Sequence, residues 1–96
     1  MNFLKEYITQ ETIEKLEKTH SKEVLYNFIC NQKNIIEVIK YLKSININNI
    51  DEIMLNNLSI FTEGIDDLKD KLNKYNRQEL SEFINKDSNN IELLWN

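Results

Sequence analysis

Ile35-Ile36-Glu37-Val38-Ile39-Lys40-Tyr41-Leu42-Lys43-Ser44-Ile45 is the stretch on which the fold class turns. At about 100° per residue, its apolar side chains spread over roughly 220° of a helix, about twice the stripe a surface helix needs. Only Glu37, Lys40, Lys43 and Ser44 are left for water. A helix this apolar needs cover on two or three sides, so it is expected at the centre of the domain, with Ile36, Ile39 and Leu42 among the most buried residues. The β-branched content lowers helix propensity and makes a strand the competitor. The polar positions Glu37, Lys40 and Ser44 recur at i, i+3, i+7, a spacing that strand alternation does not produce.

Punctuation on either side is supplied by asparagine, because the chain has no Pro and a single Gly. Asn followed three residues later by Glu occurs four times, at Asn34/Glu37, Asn49/Glu52, Asn76/Glu79 and Asn89/Glu92, each opening an apolar-periodic run. Asn accepts a bond from an orphan N–H of a first turn, and Glu favours the positive end of the macrodipole. The spacing therefore predicts helices starting at these four points. Two more follow Thr9 and Ser21, over about 10–19 (Ile13 and Leu16 inward, with outward Glu11/Lys15 and Glu14/Lys18 pairs) and about 22–31 (Val24, Leu25, Phe28 and Ile29 inward). Phe3, Leu4, Tyr7 and Ile8 form an apolar lead-in. After the central helix, Ile45-Asn46-Ile47-Asn48 is a turn in which Asn takes a left-handed conformation in place of Gly. A helix over about 50–57 leads to an apolar knot at Leu58, Ile60 and Phe61. Thr62 caps the expected longest helix, about 63–75, with Ile65, Leu68, Leu72 and Tyr75 as its stripe. A helix over about 77–86 turns Leu80, Phe83 and Ile84 inward. After a turn at Asp87-Ser88-Asn89-Asn90, a short last helix brings Ile91, Leu94 and Trp95 onto the body. The expectation is one all-α domain over 1–96, a bundle or short stack of five to seven helices.

The order helix, shorter helix, apolar knot runs from Asn34 to Phe61 and again from Thr62 to Trp95, with a degenerate copy before them. The segment Leu42-Lys43-Ser44-Ile45-Asn46-Ile47-Asn48-Asn49-Ile50-Asp51-Glu52-Ile53-Met54-Leu55-Asn56-Asn57-Leu58-Ser59-Ile60-Phe61 resembles the helical repeats of the mitochondrial transcription termination factor family. That family's motif carries a Gly in the first turn and a Pro before the final apolar pair. Here Ile45 or Asn46, and Leu58, stand in those places. The resemblance implies stacked helices and a nucleic-acid role exercised through basic faces.

Charge points elsewhere. Residues 1–48 carry seven Lys against six Glu, net +1, whereas residues 49–96 carry four Lys and one Arg against ten acids, net −5. A protein that lives on phosphate backbones leans basic. Four carboxylates, Glu63, Asp66, Asp67 and Asp70, follow i, i+3, i+4, i+7 spacing on the expected long helix. Such a face is either solvated, with its first-turn acids favoured by the dipole, or a docking stripe for a basic protein partner. A Mg²⁺ or Ca²⁺ site is a third reading, but one helix face cannot supply the six to eight oxygens of Ca²⁺.

Nothing in the sequence assembles a catalytic site. His20, the only histidine, sits at a helix junction between Thr19 and Ser21, and sequence neighbours on a turn rarely align as base and nucleophile. Cys30, the only cysteine, reads as a buried, inert thiol. One His and one Cys make no zinc set, a lone Gly64 makes no phosphate loop, and no cofactor is implied. With one cysteine, no charge-free leader and no apolar run near ~18 residues, the expected setting is the cytoplasm, away from membranes. The function expected is a non-enzymatic protein-interaction module, an adaptor or inhibitor. The nucleic-acid-binding helical repeat is its rival. Small phage- or plasmid-type accessory and immunity proteins share this size and acidity, which is an analogy of scale.

Overall fold

The computed structural model describes residues 1–94 and contains α-helices and 3₁₀ turns but no strand among them. The helices are α1 (Gln10–Thr19), α2 (Lys22–Cys30), α3 (Gln32–Ser44), α4 (Ile50–Asn56), α5 (Ile65–Leu72), α6 (Arg77–Lys86) and α7 (Asn90–Leu93). The 3₁₀ turns are Asn2–Leu4 and Leu58–Thr62. Trp95, expected to return to the body, lies outside the described residues.

The central helix is where the apolar pattern puts it. α2, α4, α5 and the Leu58–Thr62 turn all pack on α3, and Ile35, Val38, Ile39 and Leu42 are fully buried. Ile36, expected in the same set, is only half-buried. An α-helix cannot aim Ile35, Ile36 and Ile39 at one core equally, and Ile36 falls at the edge of the covered arc. α1 packs on α4, and α6 on α7. The buried side chains form one continuous cluster running from Leu4 to Ile91.

Helix ends follow the sequence where the cap is local. Thr9 accepts from the Thr12 N–H at 3.2 Å and Ser21 from the Val24 N–H at 3.2 Å. Asn76 accepts from the N–H groups of Gln78 and Glu79 at 3.0 and 3.1 Å. α3 closes in a Schellman motif: Asn46 has φ 67°, the Ile47 N–H donates to the Leu42 carbonyl at 3.0 Å, and the Asn46 N–H to the Lys43 carbonyl at 3.0 Å. Leu42 and Ile47, the apolar pair that accompanies this motif, are both buried. Lys15 meets Glu11 at 3.3 Å, whereas Glu14 and Lys18 form no such pair among the described residues.

The other three Asn positions do something different. Asn34 lies inside α3, whose first residue is Gln32, and reaches across to the start of α5. Its amide nitrogen donates to the Phe61 and Glu63 carbonyls at 3.3 and 2.6 Å, and its oxygen accepts from the Ile65 N–H at 3.2 Å. Asn49 does precede α4, but its amide donates to the Ile84 carbonyl at 2.8 Å and leaves the first turn uncapped. Asn89 precedes α7 with no side-chain cap bond. Asn85 completes the tie between α6 and the turn after α3, accepting from the Asn48 N–H at 2.7 Å and donating to the Asn46 carbonyl at 2.9 Å. Asp51 Oδ2 joins α4 to α1 by accepting from the Thr9 N–H at 2.9 Å and the Thr12 hydroxyl at 2.8 Å.

Two buried amides are left short of partners among the described residues, Asn49 at its Oδ1 and Asn57 at both ends. Asn57 is 4% exposed, and neither its Oδ1 nor its Nδ2 has a hydrogen-bond partner among the described residues. A buried polar group in that state costs about 1–3 kcal/mol. Asn57→Val, close in size and without the amide, is therefore expected to raise stability by about 1 kcal/mol, several degrees in melting temperature for a chain of this length. A thermal melt checks it, and a lower melting temperature in the variant would show that the amide stabilises the fold.

Candidate functional site

The acidic stripe is shorter than the sequence spacing suggests. The expected helix over 63–75 is α5, Ile65–Leu72, and the longest helix is α3 instead. Thr62 belongs to the preceding 3₁₀ turn, where its hydroxyl donates to the Ser59 carbonyl at 2.8 Å, so it is not free to cap α5. Asn34 supplies that cap from another helix. Glu63 is consequently extended (φ −64°, ψ 145°) and precedes the helix. It is half-buried and lies 3.9 Å from Lys71 Nζ. Asp66 and Asp67 occupy the first turn of α5 and Asp70 follows one turn on, all three exposed. Tyr75 falls beyond the helix and is exposed.

Cations border these carboxylates. Asp66 lines a groove of about 630 Å³ between α3 and α5 together with Glu37, Lys40, Tyr41 and Lys69. Lys69 Nζ sits 5.6 Å from the Tyr41 ring centroid, and the Tyr41 hydroxyl donates to Asn73 Oδ1 at 3.1 Å. Burial pushes the Tyr41 phenol above its ordinary pKa, against a smaller lowering by the Arg77 charge. Among the described residues, no group of three or more His, Cys, Asp or Glu is placed to hold a metal ion.

The larger departure from the sequence reading is at α2. Of its nine residues, Val24, Leu25, Tyr26, Phe28, Ile29 and Cys30 are apolar, but Phe28 alone is buried. Val24 and Ile29, expected inward, are 41% and 39% exposed, and Tyr26 is 68% exposed. Cys30, expected buried, is exposed as well. The helix contacts the body through Phe28, whose ring lies 6.1 Å from that of Phe3. With Phe28 turned inward, the i, i+3, i+4 set Tyr26, Ile29 and Cys30 is carried to the outside. With only Lys22, Glu23 and Asn27 polar, the apolar arc of this helix is wider than the part that Phe28 turns to the core. Phe83, also expected inward, is 39% exposed.

Beside this face, Val24 and Phe28 join His20, Asn27, Leu58, Ser59 and Thr62 around a groove of about 320 Å³. His20 Nδ1 is engaged by the Leu16 carbonyl at 3.1 Å and the Thr19 hydroxyl at 3.0 Å. No hydrogen bond joins His20 to Ser59 or Thr62 among the described residues. None of the helices of the described residues is long and apolar enough to cross a membrane. No protein-family model, no curated protein and no solved structure matches this chain.

Proposed function

We propose that this chain is a non-enzymatic protein-interaction module, an adaptor or inhibitor that acts by occupying the surface of a partner protein. The observation that carries the reading is α2, an apolar helix with a single buried residue. Contiguous exposed apolar surface on a small protein marks a site that something else covers. Replacing Tyr26 and Ile29 with Ser removes that face without touching the core. The double variant is expected to melt with the wild type and to lose a stoichiometric partner that wild type retains in affinity capture from the native host. Retention of the same partner by both proteins would sink the reading.

The exposed carboxylates of α5 are a second contact of different chemistry. Asp66, Asp67 and Asp70, with Glu63 beside them, suit a basic partner surface. Like charges at i, i+3 and i, i+4 repel by a few tenths of a kcal/mol per pair. Asp66→Asn/Asp67→Asn/Asp70→Asn is therefore expected to leave the melting temperature unchanged or raised. Rim charges act mainly on encounter, so the same variant should associate more slowly and with a flatter salt dependence. An unchanged association rate at low salt would make the stripe a solvated face. A nucleic-acid-binding helical repeat is the competing function, and the net −5 of residues 49–96 speaks against it. Binding to mixed DNA and RNA whose affinity falls steeply with salt would favour that competitor.

A further inference from the structure

Positive charge flanks α2 in the sequence, beside its uncovered apolar face. Residues 18–33 carry Lys18, Lys22 and Lys33 against Glu23 alone, net +2, in a chain whose total is −4. All three lysines are exposed, and none is held in an ion pair among the described residues. They bracket the helix in sequence, with Lys18 and Lys22 at its start and Lys33 just past its end. Between them lie Tyr26, Ile29 and Cys30 on one face and the groove of Val24, Phe28 and Leu58 on the next.

Resting on the interaction reading above, we propose that α2 docks an amphipathic helix with acidic flanks. A docked helix presents apolar anchors at i, i+3, i+4 and i+7. One such anchor, of Leu or Phe size, enters the groove between α2 and the Leu58–Thr62 turn. Its neighbours lie across Tyr26 and Ile29. Acidic residues flanking the anchors meet the three lysines, which sets the orientation of docking and excludes basic helices by like-charge contact. The occupant is thus opposite in charge to the one suited to α5, so the chain presents two surfaces of different specificity.

Two synthetic peptides of about 15 residues, long enough to form helix, test this. They share one apolar face of Leu at i, i+3, i+4 and i+7 and differ only in flanks, Glu in one and Lys in the other. Each is titrated into the full chain while backbone amide NMR shifts are followed. The Glu-flanked peptide is expected to shift residues 20–30 and 58–62 and to bind about tenfold more tightly than the Lys-flanked one at low salt, with the gap closing at high salt. Lys22→Glu/Lys33→Glu should reverse the preference. Equal binding of both peptides at α2 would overturn the charge assignment and leave the interaction module standing. Shifts confined to α5, or no binding by either peptide, would overturn both. Dimerisation of the free chain that Ile29→Glu abolishes would assign the face to a second copy and overturn the acidic-helix occupant.

Discussion

Leu42→Ala is expected to lower the stability of the chain by about 2–5 kcal/mol, a large part of the ~5–15 kcal/mol usual for a small domain. The side chain is fully buried on α3, the helix on which α2, α4, α5 and the Leu58–Thr62 turn pack. Truncation removes its transfer free energy and leaves a cavity that surrounding helices fill only in part. Leu42 also has a backbone role, since its carbonyl accepts the Ile47 N–H that closes the helix. That bond survives the substitution, but the apolar pair that accompanies the motif loses one of its two buried members. Denaturant unfolding measures the loss. A Leu42→Ala chain that unfolds with the wild type would remove α3 from the centre of the fold.

Asn34→Ala has the second largest expected effect, a loss of about 1–3 kcal/mol. The residue is polar and sits in the first turn of α3, past the Asn31 position where a local cap would act. Here its amide serves the Phe61 and Glu63 carbonyls and the Ile65 N–H. Removing it strips the start of α5 of its cap and leaves partly buried backbone groups without partners. Because the damage is local, amide hydrogen exchange at residues 63–68 should accelerate more than exchange in α1. Uniform acceleration across the chain would mean that Asn34 contributes to global packing and not to the α5 junction. Asn34→Asp keeps the acceptor for the Ile65 N–H but sets a carboxylate oxygen against the Phe61 and Glu63 carbonyls, so it is not expected to rescue the loss.

These residues also mark how far the sequence could be read. Periodicity identified α3 because a wide apolar arc has one physical solution, burial on several sides. Local caps were legible at Thr9, Ser21 and Asn76 for a similar reason: donor and acceptor lie within three residues. Asn46 was legible because a left-handed turn at a helix end tolerates few residue types. Asn34 and Asn49 carry the same local pattern as Asn76, but their amides bond groups 27 to 35 positions away. A pattern of near neighbours contains no information about such partners. The expected helix over 63–75 failed with them, since its start was assigned to Thr62 and its actual cap comes from α3.

At α2 the sequence expectation holds for Phe28 and fails for Val24 and Ile29, because apolar residues on a short helix are by default read as core. The sequence does hold the contrary signal, because Tyr26 and Cys30 leave that helix no polar face wide enough to be its solvent side. The acidic residues were legible as a group, but their helical register was not, and Glu63 parts from Asp66, Asp67 and Asp70 once α5 starts at Ile65.

The proposed interaction requires that α2, uncovered in the free chain, be covered in the complex. Cys30 reports on this directly, being exposed on the same face as Tyr26 and Ile29 and the only thiol in the chain. The measurement is the rate of Cys30 alkylation by a small maleimide, alone and with a saturating amount of the partner recovered by affinity capture. The account predicts rapid labelling of the free chain and at least about a tenfold slowing in the complex, restored by Tyr26→Ser/Ile29→Ser, because a docked surface excludes water and reagent from its centre. An identical rate with and without bound partner would contradict it.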